Sequence, residues 1–487
     1  MAEVTSLDLR PYQVEGAEWI SKQEACVLAD VPRAGKSRQV LRAADLISPK
    51  ALIVIVCPSF VTLPWAEEVA KVSGRQAFIC YGRKGDRFRA YSPLEANPET
   101  RPKRRKFLKG EGLARHTIGR PGNVMIVPYD CLIPHKEILD NGREKIRRDL
   151  PGWSTLACTL LDDARDRGDP TIVIFDEGHY LRGRTSARNE HAVMVSESAD
   201  YRWGVTATPV VAYRRDLFGL LKALRLRSLP TVWDFDRRYC GGESRAWGDP
   251  TGDGKSGKAW WNQGKTNDAE LKRWSASWML RRGMDVVGLY LPKKERRRRF
   301  GGIPETFDSV TETLMVGEKA IVFAQKRDTV SELTRRFEGL ARKAEGRRVG
   351  LGVWELTGGV DPETRAVMAS EFRGHKGAGV VVATIESMGG GVSLLGASTV
   401  DFAELGFTAG SMVQAENRAY APGAPPLLVT YWAPDEDDRA TEILVRSAAQ
   451  LDLTDDEDAA EYVRTLEREY QSALGRVSMN GTEEHLD

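Results

Sequence analysis

The chain is short of the features that mark secreted or membrane-bound proteins. Its six cysteines (Cys26, Cys57, Cys80, Cys131, Cys158 and Cys240) form no C-x-x-C pair and no cysteine–histidine cluster. That argues against a disulfide framework and against zinc, and predicts buried free thiols in a reducing compartment. The longest apolar run, Ala51–Cys57, is far too short to cross a bilayer. The opening Met-Ala-Glu-Val-Thr has neither a basic nor an apolar signal region. Net charge is scarce too, at +2, because basic runs and an acidic C-terminal stretch nearly cancel. A cytoplasmic or nucleoid protein is expected, not a secreted one.

What is present is a soluble globular composition, 41% hydrophobic and 29% charged. A length of 487 residues exceeds one hydrophobic core and predicts two or three domains. Strand-like runs alternate with helical periodicity in both halves, which predicts an α/β protein with two parallel-sheet lobes. The expected boundaries are a first lobe at 1–213, carrying a basic insertion at 83–120, and a helical, irregular segment with a basic linker at 214–300. A second lobe follows at 301–445 and an acidic helical tail at 446–487.

Thr171-Ile-Val-Ile-Phe-Asp-Glu-Gly-His179 is the most informative stretch. A β-branched and aromatic run ends in two adjacent carboxylates, and α/β folds place ligand chemistry at that edge of a strand. An edge strand entering a solvated acidic turn has the same pattern. In a nucleotide-hydrolysing site, Asp176 would hold Mg²⁺ and Glu177 would act on the attacking water. Ala25–Ala29 reads as a strand, followed by Asp30-Val-Pro-Arg-Ala-Gly-Lys-Ser37 and a helix. Strand, loop, Gly-Lys-Ser and helix is the phosphate-cradling order, with Lys36 for the β/γ-phosphates and the Ser37 hydroxyl for Mg²⁺. Two departures stand out: Asp30 replaces the first glycine of the general pattern, and Arg33 stands where a second is common.

Upstream, Leu9–Ile20 reads as an amphipathic helix whose Gln13 amide offers both donor and acceptor to an adenine edge. The 83–120 insertion mixes basic residues, Arg104, Arg105 and Lys106 among them, with aromatics. A second basic stretch runs from Met279-Leu-Arg281-Arg282 to Lys293-Lys-Glu-Arg-Arg297-Arg-Arg299. Both fit solvated surface, and both fit contact with nucleic-acid phosphates. Tyr201–Pro209 reads as a strand ending in Thr206-Ala-Thr208, placed to bond toward the acidic strand.

In order, L-R-P-Y-Q, A-G-K-S, C-P-S-F with Trp65, P-Y-D, D-E-G-H, T-A-T-P and Q-A-E-N-R resemble the superfamily 2 helicases of Swi/Snf type, DNA translocases with two RecA-like lobes. Arg238-Tyr-Cys240, Met279-Leu-Arg-Arg282 and Phe402-Ala-Glu-Leu405 are similar to the annealing-helicase, fork-remodelling subgroup. The subgroup's accessory recognition domains find no counterpart before Leu9, which suggests a bacterial or viral member. The resemblance implies ATP and Mg²⁺ as cofactors, with Arg10, Gln13, Arg33, Ala34, Gly35, Lys36 and Ser37 around the nucleotide. It places Mg²⁺ on Ser37 and Asp176, makes Glu177 the base, and has His179, Thr206 and Thr208 couple the lobes. Gln414 and Arg418 would reach in from the second lobe, Arg418 as an arginine finger. Candidate nucleic-acid contacts are Arg104, Arg105, Lys106, Arg281, Arg282, Arg297, Thr357 and Thr384.

The implied activity is ATP-driven translocation of a monomer on duplex or branched DNA, in fork remodelling or reannealing during replication, repair or recombination. Replication and repair proteins would be its partners. One departure bears on rate: the family's second motif arginine is Ala421 here, and Asn417 replaces its acid. Slow hydrolysis, another arginine (Arg33 is the candidate) and a decayed ATPase acting as a nucleic-acid scaffold all remain open. So does a strand-separating DNA or RNA helicase, or a restriction-type motor.

Overall fold

A computed structural model of the chain describes residues 9–82, 87–91, 108–133, 136–138, 144–146, 152–210, 213–247, 257–261, 266–287, 292–360, 362–385, 393–406, 409–421 and 423–433. It divides into two compact units, Met1–Val287 and Gly288–Asp487.

In the first unit the strands are β1 (Ala25–Leu28), β2 (Leu52–Cys57), β3 (Ala77–Tyr81), β4 (Arg87–Ala90), β5 (Leu108–Lys109), β6 (Val124–Pro128), β7 (Lys136–Ile138), β8 (Glu144–Ile146), β9 (Thr171–Asp176), β10 (Tyr201–Val205), β11 (Glu243–Trp247), β12 (Gly257–Trp261) and β13 (Met279–Leu280). Nine of them form one sheet in the order β13-β1-β10-β9-β2-β6-β3-β4-β5. It is parallel from β13 to β3 and antiparallel at β4 and β5. Every residue of β2 is buried, as expected of a strand covered on both faces.

Side chains alternate across a strand, so Ile172 and Ile174 of β9 share a face with Asp176. Both isoleucines belong to one buried core with Val40, Leu41 and Ala44 of the helix Lys36–Ile47, and Trp65 and Val69 of the helix Thr62–Val72. The acid at the end of β9 therefore emerges on the face that carries the phosphate-loop helix.

Charge misled the sequence reading in two places. Part of the basic insertion is sheet, since β4 and β5 extend the edge and Arg89 is buried there, donating to the Tyr81 hydroxyl. The 214–300 segment is not one insertion ending in a linker. Its residues up to Val287 fall in the first unit, where β13 pairs beside β1. The basic run Lys294–Phe300, expected as an exposed linker, is a strand of the second unit. Its alternation hides the charges: Lys294 and Arg296 both reach the buried Glu416. Arg104, Arg105, Lys106 and the 446–487 tail lie outside the described residues.

The second unit holds β14 (Lys294–Phe300), β15 (Lys319–Ala324), β16 (Gly352–Leu356), β17 (Gly379–Thr384), β18 (Thr399–Phe402) and β19 (Leu427–Ala433). They form a wholly parallel sheet in the order β14-β19-β18-β15-β17-β16. One face packs on the helices Ile303–Met315 and Arg327–Arg342 through Val310, Leu314, Leu333 and Phe337. The opposite face packs on Phe372, Met412 and Val413. The α/β class with two parallel-sheet lobes is thus present as expected. Among the described residues, no helix is long and apolar enough to cross a membrane.

Candidate functional site

The carboxyl edge of the first sheet gathers the phosphate loop, the acidic turn and the Thr206–Thr208 turn, because β1, β10 and β9 are parallel neighbours. Gly35 has φ +69°, and a Cβ there would lie 2.3 Å from Gln13 Nε2. Only glycine takes that conformation at that approach without strain. Arg33 is also left-handed, at φ 66°, which accounts for the glycine common at its position.

Three side chains hold the loop at Ala34 O: Tyr12 OH donates at 3.1 Å, Gln13 Nε2 at 3.0 Å and Gln39 Nε2 at 3.3 Å. Gln13 Oε1 accepts from Arg10 N–H at 3.0 Å, so the amide expected at an adenine edge also pins the helix start to the loop. Lys36 Nζ donates to Asp30 O at 2.9 Å and to Val31 O at 3.1 Å. Burial depresses the Lys36 pKa, opposed by the carboxylates of Glu177, Asp30 and Asp176. Lys36, Asp176 and Glu177 are thus within electrostatic reach of one another. Ser37 follows at the start of the helix.

Asp176 is anchored twice. Trp65 Nε1 donates to its Oδ2 at 2.7 Å, and the Tyr129 hydroxyl donates to its carbonyl at 2.9 Å. Burial and then the neighbouring Glu177 raise its carboxyl to about 7. Two acids kept this close at a desolvated edge are what a cation there would reward. Glu177 is left-handed, at φ 48°, a conformation that costs a non-glycine residue and re-aims its side chain at the strand-to-turn junction. His179 Nδ1 lies 3.3 Å from Glu177 Oε2 and 3.3 Å from Thr206 Oγ1. Thr206 Oγ1 in turn accepts from Thr208 N–H at 3.1 Å. The expected coupling residues are therefore one chain of contacts starting at Glu177.

Several expected nucleic-acid contacts are engaged within the protein. Arg282 is buried, ion-paired with Asp30, and also donates to Gln39 Oε1 and to the Tyr12 carbonyl. Four of its five guanidinium N–H donors are spent on buried acceptors, which sets its burial against the expected phosphate contact. Arg281 Nη1 donates to Ala29 O at 3.0 Å and Ala207 O at 3.1 Å, bridging the end of β1 to the turn after β10. Arg297 donates from Nε to Thr430 Oγ1 at 3.0 Å. Thr357 and Thr384 close the neighbouring strands β16 and β17 at their carboxyl ends, Thr384 buried and Thr357 half-buried.

In the second unit, Gln414 sits on the helix Ala409–Glu416 and Arg418 on the turn after it, where its carbonyl accepts from Leu394 N–H at 2.9 Å. Between them Glu416 is fully buried, gripped by Arg296 (3.1 and 2.8 Å), by Lys294 at 3.6 Å and by the Tyr431 hydroxyl. Ala421 is buried, 4% exposed. Sequence reasoning missed the Glu416 anchor and the Trp65 bond to Asp176. The every-second-residue spacing of Lys294, Arg296 and Arg298 was a signal for the first. Nothing local pointed to the second.

A family model for the SNF2-related domain matches residues 12–332. The chain belongs to the SNF2-related domain family. This SNF2-related chain is 25% identical over 456 residues to the DNA annealing helicase and endonuclease ZRANB3 of Mus musculus, covering 85% of the chain and 37% of that protein. It is 22% identical over 455 residues to the SWI/SNF-related matrix-associated actin-dependent regulator of chromatin subfamily A-like protein 1 of Xenopus laevis, covering 85% and 40%. The chain thus spans less than half the length of these relatives. The Sulfolobus solfataricus SWI2/SNF2 ATPase core, solved in complex with dsDNA, is 15% identical with a TM-score of 0.39, covering 95% of this chain and 97% of that one.

Proposed function

We propose that this protein is a DNA-dependent ATPase that couples ATP hydrolysis to translocation on duplex or branched DNA, in the service of reannealing or fork remodelling. The observation that carries the reading is the convergence of Lys36, Asp176 and Glu177 at one sheet edge in a chain of the SNF2-related family. The name of one relative, a DNA annealing helicase, points to the same substrate class.

The residues present suit ATP with Mg²⁺. Gly35 leaves space where a Cβ would collide, and Ser37 with Asp176 supplies hard oxygen donors of the kind magnesium takes. When bound, the metal supplies charge neutralisation on the phosphates. Lys36 binds the polyphosphate, and Trp65 and Tyr129 hold Asp176 in place. Glu177, oriented by its left-handed backbone and by His179, takes the proton of the attacking water. The contacts from Glu177 through His179 to Thr206 and Thr208 give a route by which nucleotide state alters the neighbouring turn. Gln414 and Arg418 lie in the second unit, on and just after the helix Ala409–Glu416, and an arginine of Arg418's kind suits the charge of a phosphoryl group. DNA is held through its backbone, so binding is salt-dependent and largely indifferent to sequence. The protein works as a monomer.

The test is ATP turnover with and without single- and double-stranded DNA, for wild type and Glu177→Gln. DNA-stimulated turnover that the substitution abolishes, with ATP binding kept, is expected. Equal turnover in the variant, or none in wild type with any nucleic acid, overturns the reading and favours a nucleic-acid-binding scaffold. Displacement of a triplex-forming strand without unwinding of a duplex separates translocation from strand separation.

A further inference from the structure

Asp30 poses a problem for the phosphate loop. It replaces the first glycine of the general pattern with a carboxylate, and a polyphosphate is repelled by negative charge beside its cradle. That carboxylate is fully buried and cannot be screened by water. Its counter-charge comes from 252 residues away: Arg282 Nε donates to Asp30 Oδ1 at 3.1 Å and Nη2 to Oδ2.

Around this pair sits a closed polar knot. Arg282 Nη2 also donates to Gln39 Oε1 at 2.6 Å, and Gln39 Nε2 returns to Asp30 Oδ2 at 3.1 Å. Arg282 lies over the Tyr12 ring, 5.3 Å from its centroid, and Tyr12 OH and Gln39 Nε2 both hold Ala34 O. The backbone has been cleared for this arrangement at Gly16, where a Cβ would lie 2.0 Å from Gln39 Oε1 and 2.7 Å from Arg282 Nη2. The short strand β13 delivers Arg282 in register, with Leu280 level with Leu28 and Val31 N–H donating to Arg282 O at 3.3 Å.

We propose that Arg282 is a positioning residue for nucleotide binding, neutralising Asp30 and fixing the loop from Asp30 to Gly35 in its phosphate-accepting form. The inference rests on the reading of this loop as an ATP site. Its consequence is that nucleotide affinity depends on the last segment of the first unit, which carries Arg282. Arg281, one residue earlier and within electrostatic reach of Lys36, ties the same segment to the Thr206–Thr208 turn.

The experiment uses the full chain and fluorescent ATP and ADP analogues, titrated against wild type, Arg282→Gln, Arg282→Lys and Asp30→Asn/Arg282→Gln, with thermal melting of each. Arg282→Gln is expected to bind ATP at least about tenfold more weakly, with a smaller loss for ADP. The double variant, which removes both charges, recovers most of the affinity. Arg282→Lys keeps the charge, so it binds within about threefold of wild type while melting lower. A merely structural pair predicts that affinity follows melting temperature across the series, and that result overturns the proposal. So does a double variant as weak as Arg282→Gln. Should Arg282→Gln fail to fold, the Lys and double variants decide between the same two outcomes. A wild type that binds neither analogue sinks the ATP-site reading itself rather than the role of Arg282.

Discussion

Trp65 Nε1 donates a hydrogen bond to Asp176 Oδ2 at 2.7 Å, joining side chains 111 residues apart. One carboxylate oxygen of the proposed magnesium ligand is thereby taken by the protein, and the orientation of the other follows. Partners that orient a metal ligand are commonly worth 10- to 100-fold in metal affinity.

Trp65→Phe keeps the ring in its buried position and removes the donor. The magnesium concentration for half-maximal ATPase activity is expected to rise by about tenfold or more. Nucleotide binding measured without metal stays near wild type. A magnesium dependence unchanged from wild type would remove Trp65 from the site.

Gly35→Ala places a Cβ against Gln13 Nε2, at 2.3 Å, on a residue with φ +69°. The left-handed backbone alone costs about 1–2 kcal/mol for a non-glycine residue. The loop is expected to relieve this by shifting, so ATP affinity falls at least about tenfold while the melting temperature changes little. Calorimetric titration with ATP checks it, and wild-type affinity would contradict the geometry described for the loop.

Ala421→Arg restores the family's second motif arginine in sequence but not in space. At 4% exposure, the new side chain must displace its neighbours and bury a charge. Overpacking costs about 1–3 kcal/mol, and an unpaired buried charge adds several more. The variant is expected to melt lower and to hydrolyse ATP no faster. A faster enzyme of undiminished stability would mean that the turn after Arg418 opens readily.

Asp401 carries a pH dependence of stability. Burial raises its carboxyl to about 6, against a hydrogen bond from Trp432 Nε1 at 2.9 Å and the positive charge of Arg297. Between roughly pH 4 and 6 the folded state holds a proton that the unfolded chain has released. Stability attributable to this group therefore falls as pH rises through that window and is level above it. The cost at neutral pH is on the order of 2–3 kcal/mol. Asp401→Asn keeps an acceptor for Trp432 and cannot ionise. It is expected to melt above wild type at pH 7, with the gap closing by about pH 4. Thermal melts across pH 3.5–8 test this, and a variant no more stable at pH 7 rules it out.

Features that depend on neighbours along the chain were legible from the residues alone. The buried runs of β2 and β9, the glycine-lysine turn at Gly35-Lys36 and the paired acids at 176 and 177 are local patterns, and periodicity with turn chemistry settles them. From these came the α/β class and the residues of the proposed nucleotide site. Tertiary structure decided what depends on partners distant in sequence. A run such as Lys294–Phe300 looks like solvated linker until Glu416, contributed from elsewhere, makes burial of Lys294 and Arg296 tolerable. Likewise Asp30 and Arg282 were each legible only as an anomaly and a surface charge. A buried charge is stable only when its counter-charge is buried with it, and nothing local in the sequence specifies that pairing.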